Sequence, residues 1–269
     1  MTDLTVSIVN YNSRADLIGC LDSLKGLSPQ GTVPEVWVVD NASAESIHGL
    51  EEEYKWAHFV FNEKNIGFGA ANNIALGKAR SKYFLVCNPD IRFRKAEFRQ
   101  GGSTIEALAG FMDANKDVGI AGPKLVNADG TLQYSCRRFP TVATFLARGL
   151  FPGKTPKPIH DYLMVDADHT KTMDVDWVLG SFMFARKALL DKLGGFDERH
   201  FMYYEDIDLC YRVKKAGSRV VYVPQAEAAH TYKRESAGGL FNILKYYHTA
   251  SAMRFFARYL GERKWRTFV

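Results

Sequence analysis

The chain opens with the stretch Leu4-Thr5-Val6-Ser7-Ile8-Val9-Asn10-Tyr11-Asn12-Ser13, an apolar, β-branched run that ends in polar residues. This run predicts a buried strand, and Ser13 stands where a helix N-cap is expected. Apolar residues then recur at helical spacing up to Gly26, and a second apolar run covers residues 36–39. A strand, a helix and a strand within about 40 residues predict an α/β fold with a parallel sheet and a right-handed crossover.

Polar side chains follow each of these two strands. Asn10 and Tyr11 come after the first strand, and Asp40 comes after the second. Ligands of open parallel sheets bind beyond the carboxyl ends of the strands, so all three residues are candidates for ligand contact. Considered by itself, Asp40 is more typical of a turn or a cap.

The third predicted strand, residues 58–61, leads through Asn65-Ile66-Gly67-Phe68-Gly69 into a helix. Two glycines between a strand and a helix are typical of a turn that cradles phosphate. The third position of a dinucleotide fingerprint is Asn72, however, so the signal for that kind of site is weak. Close packing of the helix on the strand is the other explanation for the glycines.

The fourth predicted strand, residues 83–87, is apolar throughout, which is typical of a central strand, and it ends in Asn88-Pro89-Asp90. A carboxylate there can hold Mg²⁺ or Mn²⁺ on a diphosphate, because these ions take oxygen ligands and share carboxylates with substrate phosphates. A simple Pro-Asp turn is the alternative. Two late strands are predicted at residues 219–224 and 226–230, and His230, which ends the second, is either a metal ligand or an ordinary core histidine.

The region between these strands contains further candidates. Adjacent Arg137 and Arg138 suit a diphosphate, although most arginine pairs lie at the solvated surface. Residues 152–172 are rich in Pro, Lys, Asp and His and predict a mobile loop of the kind that covers active sites. Residues 176–185 predict a strand that is broken at Gly180 and Ser181.

An acidic cluster of Glu205, Asp206 and Asp208 follows a run of large apolar residues. Burial beside apolar groups raises the pKa of a carboxyl group and makes it a better base near neutral pH. A helix from Glu205 to Lys215 is predicted, and its dipole favours acids in the first turn. The cluster is therefore either catalytic or only an acidic helix start.

The 269 residues are 46% hydrophobic and 24% charged, as in a globular chain with a sizeable core. The net charge of +5 is too small to indicate a nucleic-acid partner, and no nucleic-acid-binding motif is found. Four widely separated cysteines fit a reducing compartment. No signal-peptide or membrane-spanning pattern is found either, so we expect a cytoplasmic protein.

The last residues, 240–269, predict a helical tail that mixes aromatic and basic residues. Such a helix can lie on an anionic bilayer, or it can pack its aromatic face on the domain, which is slightly favoured. Its aromatic and basic residues are Phe255, Phe256, Tyr259, Trp265, Arg254, Arg258, Arg263, Lys264 and Arg266.

Taken together, six stretches resemble the inverting family 2 glycosyltransferases of the GT-A fold, and within them the bacterial rhamnosyltransferase-like branch. The stretches are residues 6–12, 38–43, 65–73, 88–90, 180–181 and 194–209. The resemblance covers about residues 4–235 and implies a Rossmann-like, mixed and mainly parallel sheet flanked by helices, with helices at the C-terminus. It implies a catalytic domain of residues 1–239, with a nucleotide-binding half (1–95) and an acceptor-binding half (96–239), before the tail of residues 240–269.

The resemblance also implies a role for each candidate residue. Residues that would bind the nucleotide are Asn10, Tyr11, Asp40, Asn65 and Gly67. Residues that would border the donor sugar and the acceptor are Trp177, Gly180, Ser181, Arg137 and Arg138. Asp90 and His230 would hold Mg²⁺ or Mn²⁺, although Asn88 replaces the first acid of the family's usual Asp-x-Asp motif. Asp206 would be the catalytic base, with Glu205 orienting the acceptor and Asp208 in a structural role.

The implied donor is dTDP-L-rhamnose, and the implied acceptor is a glycan or a lipid-linked saccharide such as N-acetylglucosaminyl diphospho-polyprenol. The tail and the apolar segment 142–151 would then contact the inner face of the plasma membrane. A UDP- or GDP-sugar donor is an alternative, as is an inactive nucleotide-sugar-binding module. A nucleotidyltransferase is disfavoured, because the loop after the first strand, residues 10–14, contains no glycine.

Overall fold

The computed structural model of the chain describes residues 3–27, 34–93, 103–231 and 243–262. The strands are β1 (Leu4–Asn10), β2 (Glu35–Asp40), β3 (Ala57–Phe61), β4 (Tyr83–Cys87), β5 (Ile91–Phe93), β6 (Val118–Val126), β7 (Leu132–Gln133), β8 (Cys136–Arg137), β9 (Met173–Asp174), β10 (Trp177–Val178), β11 (Phe182–Arg186) and β12 (Arg219–His230). The helices are α1 (Arg14–Gly26), α2 (Leu50–Glu53), α3 (Phe68–Lys78), α4 (Thr104–Ala114), α5 (Val142–Leu150), α6 (Lys157–Tyr162), α7 (Lys187–Leu193), α8 (Glu205–Lys215) and α9 (Ile243–Tyr259).

One mixed sheet carries most of these strands, in the order β3-β2-β1-β4-β11-β6-β12-β5, with β7 beside β6 and β9 beside β12. Strands β1 to β4 run parallel to one another, as do β6 and β12, whereas β11 runs antiparallel between β4 and β6. Strands β8 and β10 pair separately. The predicted α/β fold with a mainly parallel sheet is confirmed, and β4 is central as expected.

Helices cover both faces of the sheet. Alternate residues of β4 point to opposite faces: Phe84 and Val86 join the core under α3, α8 and α9, whereas Leu85 and Cys87 join the core under α1 and α4. Burial on both faces explains why this strand is apolar throughout.

Two local predictions were wrong in detail, and a third, the N-cap at Ser13, is confirmed in its position but without a side-chain cap. Residues 219–230 form one strand rather than two, because β12 stays paired with β6 across an irregularity between Val223 and Glu227. Residues 152–172 are not a structureless loop, since α6 lies within them and buries Tyr162. Ser13 does occupy the N-cap position of α1, but its hydroxyl donates to the Tyr11 carbonyl and makes no cap to the helix.

The favoured interpretation of the tail is confirmed in its described part. Helix α9 buries Phe255 and Tyr259 completely against Tyr211 of α8. No helix among the described residues is long and apolar enough to cross a membrane. Arg263, Lys264, Trp265 and Arg266 lie outside the described residues. The domain boundaries at 95 and 239 lie outside them too, so that division stays a prediction.

Candidate active site

Asp90 and His230 meet although 140 residues separate them in the chain. Strand β5 follows Asp90 immediately and pairs with the end of β12, where His230 lies opposite Ile91. The Thr231 amide also donates to the Asp90 carbonyl at 3.0 Å. As a result, His230 Nε2 lies 3.3 Å from Asp90 Oδ2 at the carboxyl end of the sheet.

Gln133 determines which nitrogen of His230 faces Asp90. Its side-chain amide donates to the His230 backbone carbonyl at 2.8 Å and to Asn127 Oδ1 at 2.6 Å, so its Oε1 must be an acceptor. That oxygen lies 2.8 Å from His230 Nδ1, which therefore carries the proton. The lone pair of Nε2 then points to Asp90, as in a metal-ligating histidine.

The Asp90–His230 pair fits a divalent cation. Asp90 Oδ1 is buried and has no hydrogen-bond partner among the described residues. A carboxylate with an unused oxygen beside an imidazole lone pair gives two electron-rich atoms that a cation can join. Oxygen and imidazole ligands suit Mn²⁺, and a carboxylate shared with a substrate diphosphate suits Mg²⁺. The backbone N–H of Asn88 donates to the Ser181 carbonyl at 2.9 Å.

The ends of β1 and β2 form a hydrogen-bonded polar patch. Asn10 is fully buried and donates to Asp40 Oδ1 at 2.7 Å, and the Ser43 hydroxyl donates to the same oxygen at 2.6 Å. The Ser43 amide donates to the other Asp40 oxygen at 3.1 Å. Tyr11 projects beside them with 47% of its surface exposed. The patch brings Asn10, Tyr11 and Asp40 together, as their positions at strand ends predicted.

Asn65 and Gly67 shape the adjacent turn. Asn65 Oδ1 accepts hydrogen bonds from the Gly67 amide at 2.9 Å and from Asn41 Nδ2 at 2.8 Å. Gly67 has a φ of 90°, and a Cβ there would collide with the Phe201 carbonyl. The neighbouring Phe68 amide donates to that carbonyl at 3.1 Å, so the turn is fastened to the loop before α8.

Asp206 lies at the start of α8, and two backbone amides hold its carboxylate. Gly180 N–H donates to Oδ2 at 3.0 Å and Ile207 N–H donates to Oδ1 at 2.8 Å. Tyr203 and Tyr204, which lead into the helix, both have left-handed backbones with φ of 66° and 68°. Backbone strain of this kind clusters at functional sites. A Cβ on Gly180 would lie 3.3 Å from Asp206 Cβ, so glycine permits this close approach.

Burial raises the pKa of both acids, but not equally. The pKa of Asp206 is raised by burial, against which its backbone hydrogen bonds and the charge of Arg137 act. The pKa of Glu205 is raised well above its usual range, first by burial and then by the negative charge of Asp206. Glu205 Oε2 is buried without a hydrogen-bond partner among the described residues. Asp206 therefore ionises first, and Glu205 keeps its proton to higher pH.

The side chains of Arg137 and Arg138 lie in different surroundings. The Arg137 guanidinium lies over the rings of Trp177, at 5.1 Å, and Tyr162, at 5.5 Å, and its charge acts on Asp206. Arg138 lines a separate cleft of about 510 Å³ between α5 and α6. Its backbone carbonyl accepts the Trp177 indole N–H at 2.7 Å. Only Arg137 thus belongs to the immediate surroundings of Asp206, and Tyr162 lies between the two.

The short segment between β10 and β11, Gly180 and Ser181, contacts both the Asp206 carboxylate and the chain just before Asp90. Gly180 donates to the carboxylate of Asp206, and Ser181 accepts the amide of Asn88, which precedes Asp90 by two residues. Ser181 Oγ is buried without a hydrogen-bond partner among the residues described. A candidate base and a candidate metal pair are therefore held by one short segment.

A family model described as Glycosyl transferase family 2 matches residues 5–174 of the chain. The chain belongs to this family. A second model, Glycosyltransferase like family 2, matches residues 157–245, so the two together cover both parts of the sheet.

Two similar relatives of this glycosyltransferase are named rhamnosyltransferases. The N-acetylglucosaminyl-diphospho-decaprenol L-rhamnosyltransferase of Mycobacterium tuberculosis is 30% identical over 88% of this chain and 79% of its own length. Rhamnosyltransferase WbbL of Escherichia coli is 32% identical over 71% of this chain and 70% of its own length. The protein is therefore a glycosyltransferase of the rhamnosyltransferase-like branch.

A solved structure confirms the GT-A fold. The crystal structure of GalNAc-T7 with UDP, GalNAc and Mn²⁺ matches with a TM-score of 0.63 at 16% identity. The match covers 87% of this chain, which spans 45% of the GalNAc-T7 chain. At this identity the likeness shows the fold alone.

Asp208 makes contacts that fit the structural role expected for it in this glycosyltransferase. It is fully buried, and its oxygens accept from Arg212 Nε at 2.6 Å and from the Tyr259 hydroxyl at 2.5 Å. With Asp197 and His200 it forms a cluster whose donor atoms lie within 4.8 Å of one another. Asp197, however, is already paired with Arg199 and Arg258. Since arginines already neutralise both acids, this cluster fastens α9 to α8 and is a poorer cation site than Asp90 and His230.

Sequence reasoning missed Gln133, Asn41 and Ser43 as parts of the site. Ser43 and Asn41 directly follow Asp40, so their position after a strand was a usable signal. Gln133 had no such signal, because its partner His230 lies 97 residues away and only the pairing of β7 with β6 brings them together.

Proposed function

We propose that the protein catalyses an inverting transfer of L-rhamnose from dTDP-L-rhamnose to a lipid-linked saccharide in bacterial cell-surface polysaccharide synthesis. The observation that carries this proposal is the segment Gly180–Ser181, which bonds to the buried base Asp206 and to the strand end that bears Asp90. The names of the two rhamnosyltransferase relatives support the donor. The name of the mycobacterial relative supports an acceptor built on a diphospho-polyprenol.

The chemistry is an in-line displacement at the anomeric carbon. Asp206 accepts the proton of the acceptor hydroxyl as that oxygen attacks the carbon from the face opposite the diphosphate. A new glycosidic bond forms, the bond to the diphosphate oxygen breaks with its electron pair, and the configuration inverts. Glu205, still protonated, orients the acceptor by hydrogen bonding.

The other candidate residues bind and orient the substrates. Asp90 and His230 would hold a Mg²⁺ or Mn²⁺ ion, whose contribution is to neutralise the charge that develops on the departing diphosphate. The patch of Asn10, Tyr11 and Asp40 would bind the base and ribose, against the turn built by Asn65 and Gly67. Arg137, Trp177, Gly180 and Ser181 would border the sugar, and Arg138 would contact the acceptor from its cleft.

The place of action follows from the acceptor. A diphospho-polyprenol is anchored in a bilayer, so we place the enzyme at the inner, cytoplasmic face of the plasma membrane, in peripheral contact with it. The contact would involve the C-terminal helix α9.

The test is a transfer assay with purified protein, a short-chain diphospho-polyprenyl N-acetylglucosamine acceptor, and dTDP-rhamnose, UDP-sugars and GDP-sugars as donors, each with Mn²⁺, Mg²⁺ or chelator. We expect product with dTDP-rhamnose only when metal is present. Asp206→Asn should lower kcat by about 10²–10⁴-fold, the range of a general base, with nucleotide binding unchanged. Turnover with UDP- or GDP-sugars alone would change the donor, and nucleotide binding without any turnover would favour an inactive module.

A further inference from the structure

Exposed apolar side chains are concentrated on two helices. In the part of the chain that the structure describes, ten large hydrophobic side chains are exposed, and eight of them lie on or directly after α5 and α9. The other two, Tyr11 and Phe61, border the nucleotide patch. The eight, which we name the docking face, are Val142, Leu146, Leu150, Phe151, Ile243, Tyr246, Met253 and Leu260. Clusters of this kind mark interaction surfaces, whereas single exposed residues do not.

The two helices are neighbours. Phe145 of α5 stacks on His248 of α9 with ring centroids 6.1 Å apart, and it meets Phe256 edge-on at 6.2 Å. The apolar stripe of α9 is also narrow. At about 100° per residue, Ile243, Tyr246, Met253 and Leu260 fall within an arc of about 100°, opposite the buried Phe255 and Tyr259.

The charged side chains of the two helices are all basic, and one of them, Arg258, is paired with Asp197. Neither α5 nor α9 contains an Asp or a Glu. The basic residues of the two helices are Arg148, Lys245, Arg254 and Arg258. By the same periodicity, Lys245 flanks the α9 stripe on one side and Arg254 and Arg258 flank it on the other. An apolar stripe with basic flanks suits the boundary between the headgroups and acyl chains of an anionic bilayer.

A second copy of the chain suits this face less well. Two copies pairing through it would bring Arg148, Lys245 and Arg254 of each copy together, with no acid on either helix to neutralise them. A transmembrane anchor is not available from these helices, since none of the described helices can cross a bilayer. An interfacial position satisfies both the apolar stripe and the charge.

Helix α9 packs on the residues that lead into α8. His248 contacts the rings of Tyr203 and Tyr204, each with centroids 5.4 Å away, and these residues directly precede Glu205 and Asp206. Burial lowers the pKa of His248 to about 4, so the ring is neutral in this contact. His248 lies on the side of α9 opposite the apolar stripe, so a bilayer bound at the docking face would be separated from the residues before Glu205 by the thickness of α9.

We propose that α5 and α9 together form an interfacial docking surface for an anionic phospholipid bilayer, and that this surface presents the lipid-linked acceptor to Asp206. The presentation of the acceptor rests on the function proposed above, but the docking itself does not. The sequence led us to expect membrane contact from the tail and from segment 142–151; the proposal joins them into one surface made of α5 and α9, and it does not need residues beyond 262.

The experiment is vesicle flotation of the full chain, without donor or acceptor. The vesicles are phosphatidylcholine alone, or phosphatidylcholine with phosphatidylglycerol. The test variant is Leu150→Glu/Met253→Glu, which changes side chains that are 71% and 66% exposed. The charge-matched control is Lys55→Gln/Lys116→Gln, which changes the net charge by the same −2 at two exposed lysines outside both helices.

We expect the wild type and the control to float with the anionic vesicles, less so in high salt. The Leu150/Met253 variant should bind about tenfold or more weakly, because two apolar contacts are lost and two repelling charges are added. Its circular dichroism, its Tm and its activity on a water-soluble acceptor should be unchanged, whereas its activity on a vesicle-embedded acceptor should fall.

Equal vesicle binding by wild type and variant, or no binding by wild type, would overturn the proposal. A wild-type dimer that the variant converts to a monomer would assign the face to a second copy and would overturn it as well. Because binding is measured without substrates, these outcomes are independent of whether the donor is dTDP-rhamnose.

Discussion

Asp206 and Glu205 are adjacent in the sequence, yet they differ in the groups that stabilise their charge. Two backbone amides and the charge of Arg137 favour the carboxylate of Asp206. Burial and the negative charge of Asp206 favour the neutral form of Glu205, so the pKa of Glu205 is raised more than that of Asp206. Over the interval between the two ionisations, the site holds one ionised carboxylate, which can accept a proton, and one neutral carboxyl group, which can donate a hydrogen bond.

This order of ionisation predicts the acid limb of the pH profile. The base must be ionised, so kcat/KM should fall as pH drops through the raised pKa of Asp206. The fall should lie above the value of about 3.9 that is usual for aspartate. Measuring kcat/KM against pH for the wild type checks this; an acid limb at or below the usual value would contradict the assignment of Asp206.

Glu205→Gln is the matched variant for this profile. Because Glu205 is neutral where Asp206 acts, glutamine should leave the acid limb in place. It should also raise the free energy of unfolding at neutral pH and not at low pH, since a raised folded pKa means that the native glutamate loses stability as pH rises. Urea unfolding at both pH values measures this. A gain in the free energy of unfolding at low pH alone would contradict the raised pKa of Glu205.

The contact between Gln133 and His230 leads to a prediction about Mn²⁺ affinity. Gln133→Leu removes the acceptor that holds the proton on His230 Nδ1, so the Nε2 lone pair is no longer fixed toward Asp90. We expect Mn²⁺ affinity to weaken by about 10–100-fold, the usual effect of such supporting partners. Titration of Mn²⁺ followed by electron paramagnetic resonance measures it without turnover.

The control for Gln133 is Gln225→Leu, at an exposed glutamine that contacts Thr172. It should bind Mn²⁺ like the wild type. If Gln133→Leu also binds normally, the histidine is oriented by other contacts and the tautomer argument fails.

Helix α9 illustrates how packing at the scale of an element separates stability from surface function. Phe255 is completely buried, whereas Met253, two residues earlier, is 66% exposed. Phe255→Ala should lower the free energy of unfolding by about 3–5 kcal/mol through lost burial and a cavity. Met253→Ala should change it by less than about 0.5 kcal/mol. Chemical denaturation of both variants measures the difference, and similar values would mean that α9 does not pack as described.

The sequence predicted elements well where local pattern and burial agree. The strand Tyr83–Cys87 and the helix Glu205–Lys215, with Gly217 after it, were correctly placed. The sequence-based prediction was wrong where pairing between distant segments determines the secondary structure. Pro224 suggested a strand end, but β12 continues because β6 pairs with it on both sides of the irregularity. Residues 152–172 have a loop-like composition, but burial of Tyr162 against Trp177 orders them.

At the scale of the whole molecule, the sheet explains why the site could be predicted only in part. Asn10 and Asp40 end β1 and β2, and Asp90 comes three residues after β4. The carboxyl ends of these parallel strands share one edge, so the proximity of the three residues follows from a parallel sheet alone. His230 reaches the same site from β12, at the far side of the sheet order, through the short strand β5 that follows Asp90. No sequence pattern indicates that β5 pairs with the end of β12.

The sheet also predicts that metal and nucleotide stabilise the entire fold. Asp90 lies between β4 and β5 and His230 ends β12, so a cation held by both adds a constraint that the unfolded chain lacks. At a concentration about 100 times the Kd, dTDP with Mn²⁺ should add about 2.7 kcal/mol to the free energy of unfolding. Differential scanning calorimetry with dTDP, UDP and GDP, each with Mn²⁺ or chelator, measures this as a rise in Tm.

Asp90→Asn is the variant that decides between metal-dependent and metal-independent binding. It keeps the size of the side chain and removes the charge that attracts the cation, so the Mn²⁺-dependent part of the stabilisation should be lost. The smaller effect of dTDP in chelator should persist, because the patch of Asn10 and Asp40 is unchanged. If the Asp90→Asn variant responds to dTDP and Mn²⁺ as the wild type does, the cation is held by the diphosphate without the protein, and the two ends of the sheet are not joined through it.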